Sequence, residues 1–142
     1  MLPQWQNLAQ ELQVQDRVIF HGKMYGEELA KMFDLCDVGS NALAQYRKNL
    51  GATSELKVRE YTARGLPFLC SVEDPALEHT EDPFWLEVAN DESVPDMQEI
   101  VEFVLKMRED EQHPQRMRAY AQKYMTWESQ YASVFKKLES DQ

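Results

Sequence analysis

Positive charge, cysteine, glycine and long apolar runs are all scarce in this sequence. Fifteen Lys and Arg stand against 25 Asp and Glu, a formal net charge of −10. Such a surface repels a phosphodiester backbone or an anionic bilayer, so nucleic acid and anionic membranes drop out as partners without a local basic patch. A phosphorylated small molecule stays open, because a pocket needs only a few local donors. The two cysteines, Cys36 and Cys70, lie in apolar stretches without zinc or redox spacing and are expected to be buried, reduced thiols. No apolar run reaches the roughly 18 residues of a membrane span. Met1-Leu2-Pro3-Gln4-Trp5 is no signal peptide, and these two absences together point to the cytoplasm. His21, His79 and His113 show no metal-ligand spacing.

What is present is a globular composition, with 43% hydrophobic and 11% aromatic residues over 142 positions, enough for one domain over residues 1–142. Trp5, Leu8, Ala9 and Leu12 recur at helical spacing, with Pro3 suited to the first turn. Arg17 to His21 is a β-branched and aromatic run closed by Gly22 and predicts a buried strand. A second helix follows Gly26, with Glu27 and Glu28 in its first turn and Leu29, Met32, Phe33 and Cys36 on its buried face. Asp37 to Ser40, Pro67 to Ser71 and Phe84 to Ala89 predict three more strands. Between the last two lies an acidic loop of about a dozen residues, longer than most connections.

A third helix is predicted from Ser54, as N-cap, to Arg64, with Gly65 ending it. Asp96 and Glu99 form a start signal for a helix burying Met97, Ile100, Val101, Val104 and Leu105. Pro114 opens another, carrying Met117, Tyr120, Ala121 and Tyr124. Thr126 caps the last, with Trp127, Tyr131, Val134, Phe135 and Leu138 along one face. Strands alternating with helices argue for an α/β fold with a parallel sheet, closed by helices over 96–140.

Ligands of parallel sheets sit beyond the carboxyl ends of the strands, where helix amino termini point. Two segments fit that rule: Gly22-Lys23-Met24-Tyr25-Gly26, and Leu50-Gly51-Ala52-Thr53-Ser54 leading into the third helix. The second is the better anion site, since free backbone N–H groups beside a glycine meet Arg47, Lys48 and Lys57. An ordinary capped helix with solvated lysines fits the same residues. Lys57, Glu60, Tyr61 and Arg64 then share one stripe of the third helix. Glu60 could form an ion pair there, or accept two hydrogen bonds from a ribose diol. Periodicity leaves both open.

The segment Lys57-Val58-Arg59-Glu60-Tyr61-Thr62-Ala63-Arg64-Gly65-Leu66-Pro67 resembles the K-x-x-E-Y-x-A-x-G-x-P signature of group 1 glycosyltransferases with the GT-B fold. Arg17 to Gly22, Gly26 to Asp37 and Thr126-Trp127-Glu128 resemble further motifs of that family in the same order. The resemblance implies a Rossmann-like parallel sheet flanked by helices, part of the carboxyl-terminal domain that binds a nucleoside-diphosphate sugar. By the same resemblance, Glu60 would hold the donor ribose, while Gly51, Thr53 and Ser54 would meet the diphosphate, with Lys57 near it. Gly22 and Lys23 would border the base.

It further implies a cytoplasmic enzyme moving a sugar to a hydroxyl acceptor, as in cell-surface polysaccharide biosynthesis, with the nucleotide sugar as substrate and no other cofactor. No catalytic residue and no metal ligand is assigned. The Asp-x-Asp of metal-dependent GT-A transferases is absent from the sequence. Two features depart from the family. The first glutamate of its Glu-x7-Glu motif falls on Ala52, and its opening two strands and helix, with the glycine-rich turn after the first strand, are not found. The amino-terminal acceptor domain is a further expected partner, and self-association through an uncovered sheet edge is another. The isolated chain is expected to be inactive, and the competing reading is a non-catalytic α/β binding or interaction module.

Overall fold

The computed structural model describes residues 2–80 and 83–140, without the side chains of residues 133 and 134. Val134 of the last helix, and Glu81 and Asp82 of the acidic loop, therefore lie outside the described residues as far as their expected roles go. The chain divides into two compact units, Met1–Asp34 and Leu35–Gln142.

The first unit holds helices α1 (Leu2–Glu11) and α2 (Gly26–Asp34), with a single 3₁₀ turn at Gln15–Arg17 between them. The strand expected over Arg17 to His21 does not form. Its first residue ends the 3₁₀ turn, and the rest is irregular, with Ile19 75% exposed. A strand needs a ladder partner for its N–H and C=O groups, and β-branched composition alone supplies none. Of the expected α1 face only Ala9 is buried, while Trp5, Leu8 and Leu12 are exposed. On α2, Leu29, Met32 and Phe33 are half-buried.

The second unit carries a small sheet of three parallel strands, ordered β1 (Gly39–Ser40), β2 (Phe68–Cys70) and β3 (Trp85–Glu87). Gly39 pairs with Phe68, which in turn pairs with Trp85, and Cys70 pairs with Glu87. All three residues of the central strand are buried, as befits a strand covered on both faces. Around the sheet run α3 (Leu56–Arg64), α4 (Met97–Glu109), α5 (His113–Tyr124) and α6 (Trp127–Ser140). The protein is thus α/β, with a parallel sheet flanked by helices.

The core gathers where α3 and α5 meet β2. Phe68, Met117, Val58, Thr62 and Cys70 are its most enclosed side chains. Thr62 is accommodated because its hydroxyl donates to the Val58 carbonyl at 2.7 Å. Phe84 packs edge-on against both Phe68 and Tyr120, at 6.2 and 5.5 Å between ring centres. Gly65 ends α3 at φ 77°, and a Cβ there would stand 2.7 Å from Pro114 of α5. Glycine is therefore required both by backbone conformation and by the approach of the two helices.

Several expected burials fail. Cys70 is buried, but Cys36 is exposed. In α4, Ile100 and Met107 are buried and Val104 is half-buried, whereas Met97, Val101 and Leu105 are exposed. Along α6, Trp127, Tyr131, Phe135 and Leu138 are all exposed, although Trp127 and Tyr131 stack at 5.7 Å. Helical spacing locates an apolar face but does not supply a surface to cover it.

Candidate functional site

The loops after β1 and β2 meet at the amino end of α3. Ala52 bridges to Glu73 in parallel fashion, with Thr53 N–H donating to the Glu73 carbonyl (2.9 Å) and Glu73 N–H to the Gly51 carbonyl (3.2 Å). Asn90, from the turn after β3, clamps the loop again. Its Oδ1 accepts from Tyr46 N–H at 2.8 Å and its Nδ2 donates to the Leu50 carbonyl at 3.0 Å. Ser71 Oγ donates to the Ala42 carbonyl at 3.2 Å. The segment holding Gly51, Thr53 and Ser54 is thereby tied to both neighbouring loops before any ligand arrives.

The N-cap of α3 is Glu55, not Ser54, and its side chain makes no cap hydrogen bond. The Glu55 carboxylate instead accepts from Gln45 Nε2. Ser54 Oγ accepts from Arg59 Nη2 at 2.8 Å, and Arg59 Nη1 donates to the Glu55 carbonyl at 3.1 Å. Arg59 reaches back one turn to both groups, so the hydroxyl expected to cap the helix is held by a guanidinium.

A carboxylate already occupies this neighbourhood. Asp74 is buried, accepts from Ala76 N–H at 2.9 Å and Glu55 N–H at 3.3 Å, and lies 3.8 Å from Arg59. Of the backbone donors expected to meet an external anion, Thr53 N–H is committed to Glu73 and the N–H at the cap to Asp74. Among the basic residues, Lys48 and Lys57 are exposed, and Arg47 donates to the Tyr46 hydroxyl at 2.9 Å.

Tyr61 sets the roll of α3. Its ring is buried against Phe68 and lies so close to Gly39 that a Cβ there would come within 2.9 Å. Its hydroxyl donates to the Ser40 carbonyl at 3.1 Å, and burial pushes its pKa up. With Val58, Tyr61 and Thr62 facing inward, Lys57 faces solvent and Glu60 and Arg64 lie at the half-exposed margin. Glu60 Oε1 accepts from Arg64 Nε at 3.3 Å and from its Nη2 at 3.1 Å. Glu60 also lines an open groove of about 470 Å³ shared with Arg59, Arg118, Met125 and Thr126.

Gly22 and Lys23 belong to the first unit. Gly22 adopts φ 72° with no heavy atom near its Cβ position, and Lys23 is exposed. The other five residues expected at the site, Gly51, Thr53, Ser54, Lys57 and Glu60, all fall on α3 or the loop leading into it.

Sequence reasoning missed Gln45, Arg59, Asp74 and Asn90. Arg59 occupies a variable position of the segment 57–67 and acts within one helical turn, whereas Gln45, Asp74 and Asn90 sit in no motif and gain a role only where three loops return to one place. Asn41 and Gln45 are buried, and among the described residues their Oδ1 and Oε1 atoms, like Thr53 Oγ1, have no hydrogen-bond partner. Among the described residues no group of three or more His, Cys, Asp or Glu could hold a metal ion. None of the helices, so far as described, is long and apolar enough to cross a membrane. Comparison with protein-family models, curated proteins and solved structures finds no match to this chain.

Proposed function

We propose that this chain is the nucleotide-sugar-binding part of a GT-B glycosyltransferase, its parent enzyme moving a sugar from a nucleoside diphosphate to a hydroxyl acceptor. The observation that carries the reading is the K-x-x-E-Y-x-A-x-G-x-P segment, which lies on α3 as far as Arg64, with its glycine ending the helix. This helix begins beyond the carboxyl ends of β1 and β2, with the motif tyrosine inward and the motif glutamate half-exposed. Parallel sheets bind ligands at that end. The Arg64 contacts fall on Oε1 of Glu60, so in this reading its Oε2 would take a ribose hydroxyl, and Lys57 adds positive charge beside the helix start. In the reaction, negative charge grows on the departing diphosphate, and helix-start N–H groups with nearby cations would stabilise it. An amino-terminal acceptor domain completes the cleft in this reading, and the setting is cytoplasmic.

A second reading, a non-catalytic binding or interaction module, has its own support. Glu60 is already paired with Arg64, Thr53 N–H is committed to Glu73, and the Asp74 carboxylate stands at the start of α3. Calorimetric titration of the chain with UDP-sugars and GDP-sugars separates the two. Saturable binding of one nucleotide class, competed by its free nucleoside diphosphate, is expected. Absence of binding by both classes would favour the module.

A further inference from the structure

We draw no further inference here: the strongest candidate, the exposed apolar face of α6 carrying Trp127, Tyr131, Phe135 and Leu138, carries none because nothing in the structure shows what covers it.

Discussion

Replacing Gly65 by alanine tests the packing of α3 on α5 at its tightest point. Gly65 holds φ 77° and ψ 26°, with its N–H returned to the Thr62 carbonyl and the next N–H, of Leu66, to the Tyr61 carbonyl. An L-residue in this left-handed region costs about 1–2 kcal/mol. The stiffer unfolded chain of the alanine variant returns roughly 0.4–1 kcal/mol. The larger effect is contact. The new methyl would lie 2.7 Å from Pro114 Cβ, 2.8 Å from its Cα and 2.9 Å from its carbonyl oxygen. Two of these atoms are backbone in the first turn of α5 and cannot rotate away. Relief requires moving one helix against the other, at about 1–3 kcal/mol for an overpacked site.

Together these place Gly65→Ala at a loss of about 2–4 kcal/mol, a large share of the roughly 5–15 kcal/mol of a typical domain. Urea unfolding followed by far-ultraviolet circular dichroism measures it. Gly51→Ala is the control, since nothing lies within 4 Å of its Cβ position and its φ is not positive. That variant should stay within about 0.5 kcal/mol of the parent chain. Equal unfolding midpoints for the two variants would mean that the contact with Pro114 is relieved without cost, contrary to this expectation. So would a loss at Gly65 below about 1 kcal/mol, because strain and the Pro114 contact together should reach at least that after the unfolded-chain offset.

Three further outcomes are expected. Glu60→Ala removes a partly exposed i,i+4 ion pair and should cost stability only about 0.3–0.5 kcal/mol. If Glu60 holds a ribose diol, the same change should weaken nucleotide-sugar binding by about 3 kcal/mol, roughly 150-fold. Calorimetry alongside thermal melting reads both, and a large melting loss with unchanged affinity makes Glu60 a structural residue. Asp96→Ala deletes the cap that accepts from Gln98 and Glu99 N–H, so α4 should lose about 1 kcal/mol by urea unfolding. A change within a few tenths would contradict the cap assignment. The Arg116 hydrogen bond holds the Asp110 carboxyl below its usual range, so its stabilisation is present at neutral pH. That contribution is lost as pH falls from about 4 toward the lowered folded value, and Asp110→Asn should flatten stability against pH in that window. An unchanged acid slope would count against the pair.

Local chemistry in the sequence determined much of the helical framework. Asp96, Pro114 and Thr126 mark where α4, α5 and α6 begin, and Gly65 marks where α3 ends, because caps and left-handed glycines act over a few bonded neighbours. The runs around Phe68 and Trp85 were legible as strands, since they are apolar and bounded by turn residues. The motif from Lys57 to Pro67 located the candidate helix but grouped Tyr61 with the stripe of Lys57, Glu60 and Arg64, whereas the fold buries its ring against Phe68. By itself, though, it could not say whether Glu60 would be free or paired with Arg64.

Only tertiary structure decided which patterns had partners. Arg17 to His21 has strand composition but forms no ladder among the described residues, while the two-residue β1 survives by pairing with β2. The apolar spacing of α1 and α6 is as regular as that of α5. Of these, α5 buries Met117, Tyr120 and Ala121, whereas α6 leaves its aromatic rings exposed. Gln45, Asp74 and Asn90 acquire their roles because three loops return to the amino end of α3. Pairing and burial are relations between distant segments, and their free energy exists only once those segments meet.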